Sequence, residues 1–215
     1  THLTQLHERA TNYTSTGLVC QDDTRFQVST LRSFKPSLHT VLILFRPQTK
    51  WHHSAAQILT QEFSAQGITV TTYPVALENN IVQQIEAVLA PKTDTIMIMQ
   101  STLNGGSLAT LAQYCSNQGI TLCAQEQDAC LLGAAISFCN PEAFQIITLT
   151  PLIRNQLEQP ASGPIQHKIP HLDRYEVHLN PRTATGQQIR ISPAFAALAN
   201  RTHYTEPTNY TTAPL

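Results

Sequence analysis

Val41-Leu42-Ile43-Leu44-Phe45 and Ile96-Met97-Ile98-Met99 are apolar at every position. A strand of that kind must be covered on both faces, which is the condition of a parallel sheet with helices above and below. Outward from these runs, His53 to Gln66 and Asn79 to Leu89 are amphipathic, and Ile68 to Tyr73 between them has the character of another strand. Gln100 to Gly106 opens into a third helical pattern that begins near Ser107, with Leu108, Leu111, Ala112 and Cys115 inward. Ile120 to Ala124 follows as a fourth strand. Successive strands lie about 26 residues apart, the pitch of repeated βα units. Thr40 to Cys123 therefore predicts an α/β fold, a three-layer α/β/α sandwich on a mostly parallel sheet of about five strands. Open sheets of this class bind ligands at the carboxyl ends of their strands.

Breaker residues punctuate the pattern. Pro47, Pro74 and Pro91 stop elements, and Gly67 and Gly119 stand where helix C-termini want a left-handed residue. Ala129 to Phe138, small and apolar, suits a fifth strand, and Pro141 to Leu157 a helix with proline in its first turn. Gln159 to Pro170 has the composition of a linker loop, and Tyr175 to Leu179 alternates like a strand. Short helices are expected over 181–187 and 193–199. At the other end Val19 to Val28 is weakly patterned, and Thr30 to Phe34 predicts a short helix halted at Pro36. The resulting division is a crossover and lead-in segment over 1–36, an α/β lobe over 37–200 and a loose tail over 201–215.

Hydrophobic residues make up 41% of the 215 residues and charged ones only 13%, against about a quarter in typical soluble proteins. The polar surface is built instead from 27 Thr and 20 Gln. A formal charge of -1 supplies no basic field, so nucleic acid is not an expected partner. The five cysteines, Cys20, Cys115, Cys123, Cys130 and Cys139, show no C-x-x-C spacing, and the nine histidines are scattered apart from His52-His53. Neither a metal nor another cofactor is expected. Buried free thiols are the simplest expectation, with one disulfide among Cys115, Cys123, Cys130 and Cys139 the alternative in an oxidising compartment. The N-x-T triplets at Asn12, Asn200 and Asn209 are attributed to the Thr-rich composition.

Several motifs, in a shared order, carry a resemblance. Asn12-Tyr13-Thr14 through Gly17, then Leu31 to Pro36 ahead of the first long strand, resembles the second half of ABC-transporter substrate-binding proteins. There an N-V-T-G crossover precedes a helix ending L-x-P. Cys130-Leu131-Leu132-Gly133-Ala134 is similar to that family's v-x-x-G-a. The closing run Tyr175-Glu176-Val177-His178-Leu179-Asn180, then Thr183-Ala184, Gly186, Ile191-Ser192-Pro193 and Leu198-Ala199, is similar to its terminal l-x-v-N-x-x-T-A…G…I-P…l-x-x-A pattern. The resemblance spans residues 11–200 or so and covers the second of two lobes with both crossovers. It implies a periplasmic-binding-protein-like, amino-acid-uptake type of lobe, exposed in the bacterial periplasm or cell envelope. A first lobe or a membrane transporter is the partner so implied. Ser101 to Asn104 lacks the family's loop aspartate, and Phe138-Cys139-Asn140-Pro141 lacks its tyrosine and glycine, so ligand specificity does not transfer.

The candidate ligand-binding residues lie where strands end. Gln100, Ser101, Thr102, Asn104, Gly105 and Ser107 lead into a helix N-terminus, whose free N–H groups and dipole favour a carboxylate. An ordinary βα turn with a serine N-cap is the alternative. Arg46 could pair with a carboxylate, and Gln125 and Glu126 complete the rim, Glu126 suited to an amine. Both charges are equally ordinary on a solvated surface. No G-x-S-x-G, Walker or G-x-G-x-x-G motif occurs, and Cys123 has no identifiable base, so no catalytic residues are expected. The expected function is non-enzymatic binding of a small carboxylate-bearing, amino-acid-like ligand for transport. The alternative is a sensory or scaffold module that docks on a protein partner or self-associates. If the lone lobe is natural, a homodimer or another partner covering the rim is expected, because apolar loop residues such as Leu103 would otherwise be exposed.

Overall fold

The computed structural model describes residues 19–20, 24–48, 50–76, 79–158, 171–172 and 175–204. The crossover motif at Asn12–Gly17, the linker Gln159–Pro170, the tail from residue 205 and the triplets at Asn12 and Asn209 lie outside them. Elements run β1 (Val19–Cys20), α1 (Thr24–Phe34), β2 (Thr40–Phe45), α2 (Lys50–Ala65), β3 (Thr69–Pro74), α3 (Ile81–Val88), β4 (Thr95–Ile98) and α4 (Gly105–Gln118). They continue with β5 (Thr121–Ala124), β6 (Ile136–Cys139), α5 (Glu142–Glu158), β7 (His171–Leu172), β8 (Glu176–Leu179), α6 (Pro181–Gly186), α7 (Pro193–Leu198) and β9 (Arg201–Thr202). Two compact units emerge, Thr1–Asp23 with Asn140–Tyr175, and Thr24–Cys139 with Glu176–Leu215. The first contains helix α5 and the parallel pair β1 and β7, in which Val19 faces His171.

The second unit is the α/β body. Its seven-stranded sheet has the order β3-β2-β4-β5-β6-β8-β9, parallel throughout except for the antiparallel pair β6 and β8. Alternate strand residues feed two cores, as the pleat requires. Val41, Ile43, Met97 and Cys123 pack on one face with Val28 and Leu31 of α1 and Leu59 and Phe63 of α2. Leu42, Leu44, Ile96, Ile98 and Leu122 pack on the other with Ile81 and Ile85 of α3 and Leu111 and Cys115 of α4. Each fully buried Leu or Phe of this kind contributes about 1.5–3 kcal/mol. The three-layer reading of the apolar runs is therefore met, with seven strands where about five were expected. Beyond the five, β8 is the strand expected over Tyr175 to Leu179, here antiparallel to β6, and the two-residue β9 was not foreseen.

Local departures have local causes. Helix α1 is longer than the short helix expected, because its inward face includes the polar residues Thr24 and Gln27, which hide the period. Helix α4 starts at Gly105, capped by the Asn104 side chain accepting from the Ser107 N–H at 2.9 Å. Asn104 thus takes the place anticipated for a serine cap. The fifth strand falls at the end of its predicted stretch, since Ala129 to Gly133 turns instead, Ala134 donating to the Ala129 carbonyl at 2.9 Å. Gly119 ends α4 in the left-handed region at φ 68°, as its position predicted.

The amino end of the sheet is tied at one residue. Asp94 Oδ2 accepts from the N–H groups of His39 at 2.9 Å and Thr40 at 3.2 Å, and its Oδ1 from the Thr95 hydroxyl at 2.9 Å. The largely buried Lys35 ammonium lies 3.5 Å from Asp94 Oδ1 and donates to the Asp94 carbonyl at 2.7 Å and to Thr121 Oγ1 at 3.0 Å.

Candidate functional site

Because β2, β4 and β5 are adjacent and parallel, their carboxyl ends bring Arg46, Gln100 to Asn104, and Gln125 with Glu126 onto one rim. The rim is bound together by its own side chains. Gln125 Oε1 accepts from the Gln100 N–H at 3.2 Å, while Gln125 Nε2 donates to Gln27 Oε1 of α1 at 2.7 Å. Glu126 Oε1 accepts from the Ser101 N–H, and Ser101 holds a left-handed backbone at φ 55°. Of the N–H groups expected to await a ligand, those of Gln100 and Ser101 are engaged by Gln125 and Glu126. Ser107 is engaged by Asn104. Thr102 is buried, and its hydroxyl has no hydrogen-bond partner among the described residues. Gly105 and Gly106 form the first turn of α4. Leu103, expected on the surface, is only 7% exposed and packs with the α3 and α4 core, which removes the stated reason for a dimer or a partner over the rim.

Burial pushes the Glu126 carboxyl above its ordinary value; the Ser101 N–H works against that rise and the charge of Asp128 adds to it. A raised folded value means that ionisation costs stability above the ordinary carboxylate value, a cost that declines as pH falls below the raised value and vanishes below the ordinary one. Glu126→Gln keeps an acceptor for Ser101, so at neutral pH it should melt at or above the wild-type temperature. That difference should shrink on acidification toward the ordinary value of 4.5. Paired melting curves at the two pH values check this, and a gap that widens in acid refutes it.

The sequence missed one residue central to the rim. His52, 4% exposed, places Nδ1 3.0 Å from the Arg46 carbonyl and Nε2 2.9 Å from the Gln100 carbonyl, clasping the ends of β2 and β4. Its membership of the inward face of α2, with Ala55, Ala56, Leu59 and Phe63, was the available signal. Beside the rim a groove of about 560 Å³ runs between α2 and the edge strand β3, lined by Phe45, His53, Gln57, Thr60, Gln61 and Thr72 among others. None of the expected ligand residues lines it.

Cys115, Cys123, Cys130 and Cys139 are buried and form no disulfide among the described residues, in line with the simplest reading. Cys123 is 0% exposed and burial pushes its thiol far up, which disfavours the thiolate that a nucleophile needs. A further group that cysteine spacing could not reveal lies where β6 and β8 meet. Cys139 pairs with Glu176 across the antiparallel ladder, and His178, two residues on, shares their face. His178 Nε2 lies 3.6 Å from Cys139 Sγ and 3.0 Å from Glu176 Oε2, while Nδ1 meets the Gln127 carbonyl at 3.0 Å. Burial, then the charge of Glu176, pushes the Cys139 thiol up to about 12; Asp128 and Glu126 add to this and Arg201 opposes it. Glu176-x-His178 on a strand was the sequence signal, but its partner Cys139 comes from 37 residues away.

No protein-family profile and no curated protein matches the chain. Solved structures do. The ABC domain from Streptococcus pneumonia in complex with L-Trp superposes with a TM-score of 0.77 at 15% identity, over 87% of this chain and 63% of its own. A conserved domain protein from Vibrio cholerae gives 0.76 at 16% identity, over 87% of this chain and 62% of its own. This is the fold of a substrate-binding-protein lobe. A ligand-free, open substrate-binding protein with adhesive properties from Clostridium difficile gives 0.64 at 15% identity, over 87% and 61%. The lobe thus spans about three-fifths of the length of the structures it matches. Among its described residues no helix is long and apolar enough to cross a membrane.

Proposed function

We propose that the chain is a non-enzymatic, extracytoplasmic ligand-binding lobe of a solute-binding protein serving an ABC transporter. It takes a small amino-acid-like ligand at the carboxyl ends of β2, β4 and β5. The observation that carries this reading is the polar rim itself, which sits at the strand ends where open α/β sheets receive ligands. Opposite charges stand at its two ends, Arg46 beyond β2 and Glu126 beyond β5. With β4 between them their backbones are about 10 Å apart by strand spacing, a gap that a long arginine side chain narrows. Arg46 would take the ligand carboxylate and Glu126 its amine. Gln100, Ser101, Thr102, Asn104, Gly105, Ser107 and Gln125 would frame the ligand between these two charges. The structural neighbour solved with L-Trp supports an amino acid as the ligand class. Hinge closure against another lobe would complete the site.

A thermal-shift screen of the full 215-residue chain against amino acids and small carboxylates tests this, with solution mass measured in parallel. The expected result is one ligand class raising the melting temperature with concentration, by about 2.7 kcal/mol of stability at a hundred times Kd. Arg46→Ala should abolish that shift. The second reading, a module that docks on a protein partner or on itself, draws support from the rim N–H groups already engaged by Gln125 and Glu126. No shift with any ligand, together with a dimeric mass, would favour it.

A further inference from the structure

Cys139, Glu176 and His178 combine three donor types in one small volume. Their ligand atoms, one thiol sulfur, one carboxylate oxygen and one imidazole nitrogen, all lie within 4.8 Å of one another. We infer that this cluster is a binding site for a divalent transition metal of borderline softness, zinc(II) above all, held by Cys139 Sγ, His178 Nε2 and Glu176 Oε2. The inference is independent of the proposed ligand at the β2–β4–β5 rim.

Three observations carry it. First, tetrahedral zinc with its usual bond lengths separates a sulfur and a nitrogen ligand by about 3.5 Å. Cys139 Sγ and His178 Nε2 are already 3.6 Å apart. Second, the His178 ring is oriented from behind, with Nδ1 on the Gln127 carbonyl at 3.0 Å. With the proton on Nδ1, the neutral ring turns its Nε2 lone pair toward the thiol and the carboxylate, the arrangement that metal-bound histidines use. Third, the donors differ in access as an acquired metal requires. Cys139 and His178 are 5% and 1% exposed, while the Glu176 side chain is 18% exposed and offers a way in.

Chemistry selects the metal class. Thiolate and imidazole together discriminate against calcium and magnesium, which want only oxygen, and favour zinc and its neighbours. Three protein ligands leave a fourth position for water or a solute atom. On binding, a metal–sulfur bond replaces the S–H bond and the proton leaves to bulk water. Arg201 is the built-in competitor, its Nε 3.4 Å from the same Glu176 Oε2. A cation entering the site must displace or tolerate that guanidinium.

Cobalt(II) titration of the chelator-stripped full chain reads the site directly, because a cobalt–thiolate bond gives a near-ultraviolet charge-transfer band. One equivalent of cobalt should produce that band, and zinc should bleach it. Cys139→Ser should lose the band, and Glu176→Gln, which removes a direct ligand, should weaken cobalt binding by at least the roughly tenfold that loss of an outer-shell partner costs. Absence of the band in the wild type, or its persistence at full intensity in Cys139→Ser, overturns the assignment. Should the buried Cys139→Ser fail to fold by circular dichroism, Arg201→Gln decides, since Arg201 is exposed and ligates nothing. Several-fold tighter cobalt binding in Arg201→Gln supports the site, and unchanged or weaker binding refutes it.

Discussion

Asp94→Ala should cost about 3–4 kcal/mol of folding stability, read from urea or thermal denaturation of the full chain. Three separate donors converge on this one carboxylate, the N–H groups of His39 and Thr40 and the hydroxyl of Thr95, with the Lys35 ammonium 3.5 Å away. The side chains of Lys35 and Asp94 are 12% and 24% exposed, so water replaces the lost partner only in part. Removing the carboxylate strands a lysine whose charged form burial already disfavours, the attraction of Asp94 being what opposes that effect. It also leaves two backbone donors at the head of β2 without their acceptor, each a cost of about 1–3 kcal/mol when buried and less where water reaches it. Lys35→Met should be milder than Asp94→Ala, because the carboxylate keeps its other donors and a buried charge is removed. Equal losses, or a larger loss for Lys35→Met, would show that the ammonium and not the carboxylate organises this end of the sheet.

This hub illustrates which parts of the fold the sequence made legible. The apolar runs at Val41–Phe45 and Ile96–Met99 announced a sheet covered on both faces, because period and composition are local properties. Their alternate residues do divide between the two cores. Asp94 sits in a plain turn sequence, and nothing local says that residues from 35 to 121 gather around it. Gln27 is a similar case. Its burial at 1% makes sense only through the hydrogen bond from Gln125, 98 residues away, so helix α1 was foreseen at half its length.

The same distinction governs the sites. Strand-end logic brought Arg46, Gln100, Ser101, Gln125 and Glu126 to one rim from topology alone. The occupants of the rim N–H groups were not legible, because Glu126 reaching the Ser101 N–H depends on the spatial order β4-β5 and on a left-handed turn at Ser101. The Cys139–Glu176–His178 group escaped for a related reason. Metal-ligand spacing in sequence detects ligands on one loop or helix, whereas these meet across an antiparallel ladder that follows a break between β6 and β8.

His52→Ala is expected to cost about 2–4 kcal/mol, from the cavity left by a 4% exposed ring and the loss of the hydrogen bond its neutral ring donates to one of the two carbonyls it faces. The larger consequence is local. Beyond the end of β4 the backbone pairing with β2 continues only through Met99, which donates to the Leu44 carbonyl at 3.0 Å. From there His52 bridges Arg46 and Gln100, so its removal should raise amide exchange over Gln100 to Asn104 more than across β4 itself. The ring also confers a pH dependence whose sign opposes that of Glu126. Burial lowers the His52 value, outweighing the two carbonyls that favour protonation, while Arg46 and His53 add to the lowering. A depressed folded value means that its contribution is complete above the ordinary histidine value of 6.5 and is lost as pH falls through the depressed one. His52→Gln, which keeps one donor, should therefore lose less stability than the wild type over that window. If both lose the same amount on acidification, or if His52→Ala leaves the Gln100 to Asn104 amides as protected as before, the clasp does not hold the rim. If the loop instead opens while the core stays protected, the geometry of the rim rests on a residue that contributes backbone bonds alone. On the proposed function, His52→Ala would then weaken ligand binding by releasing the backbone that carries Arg46.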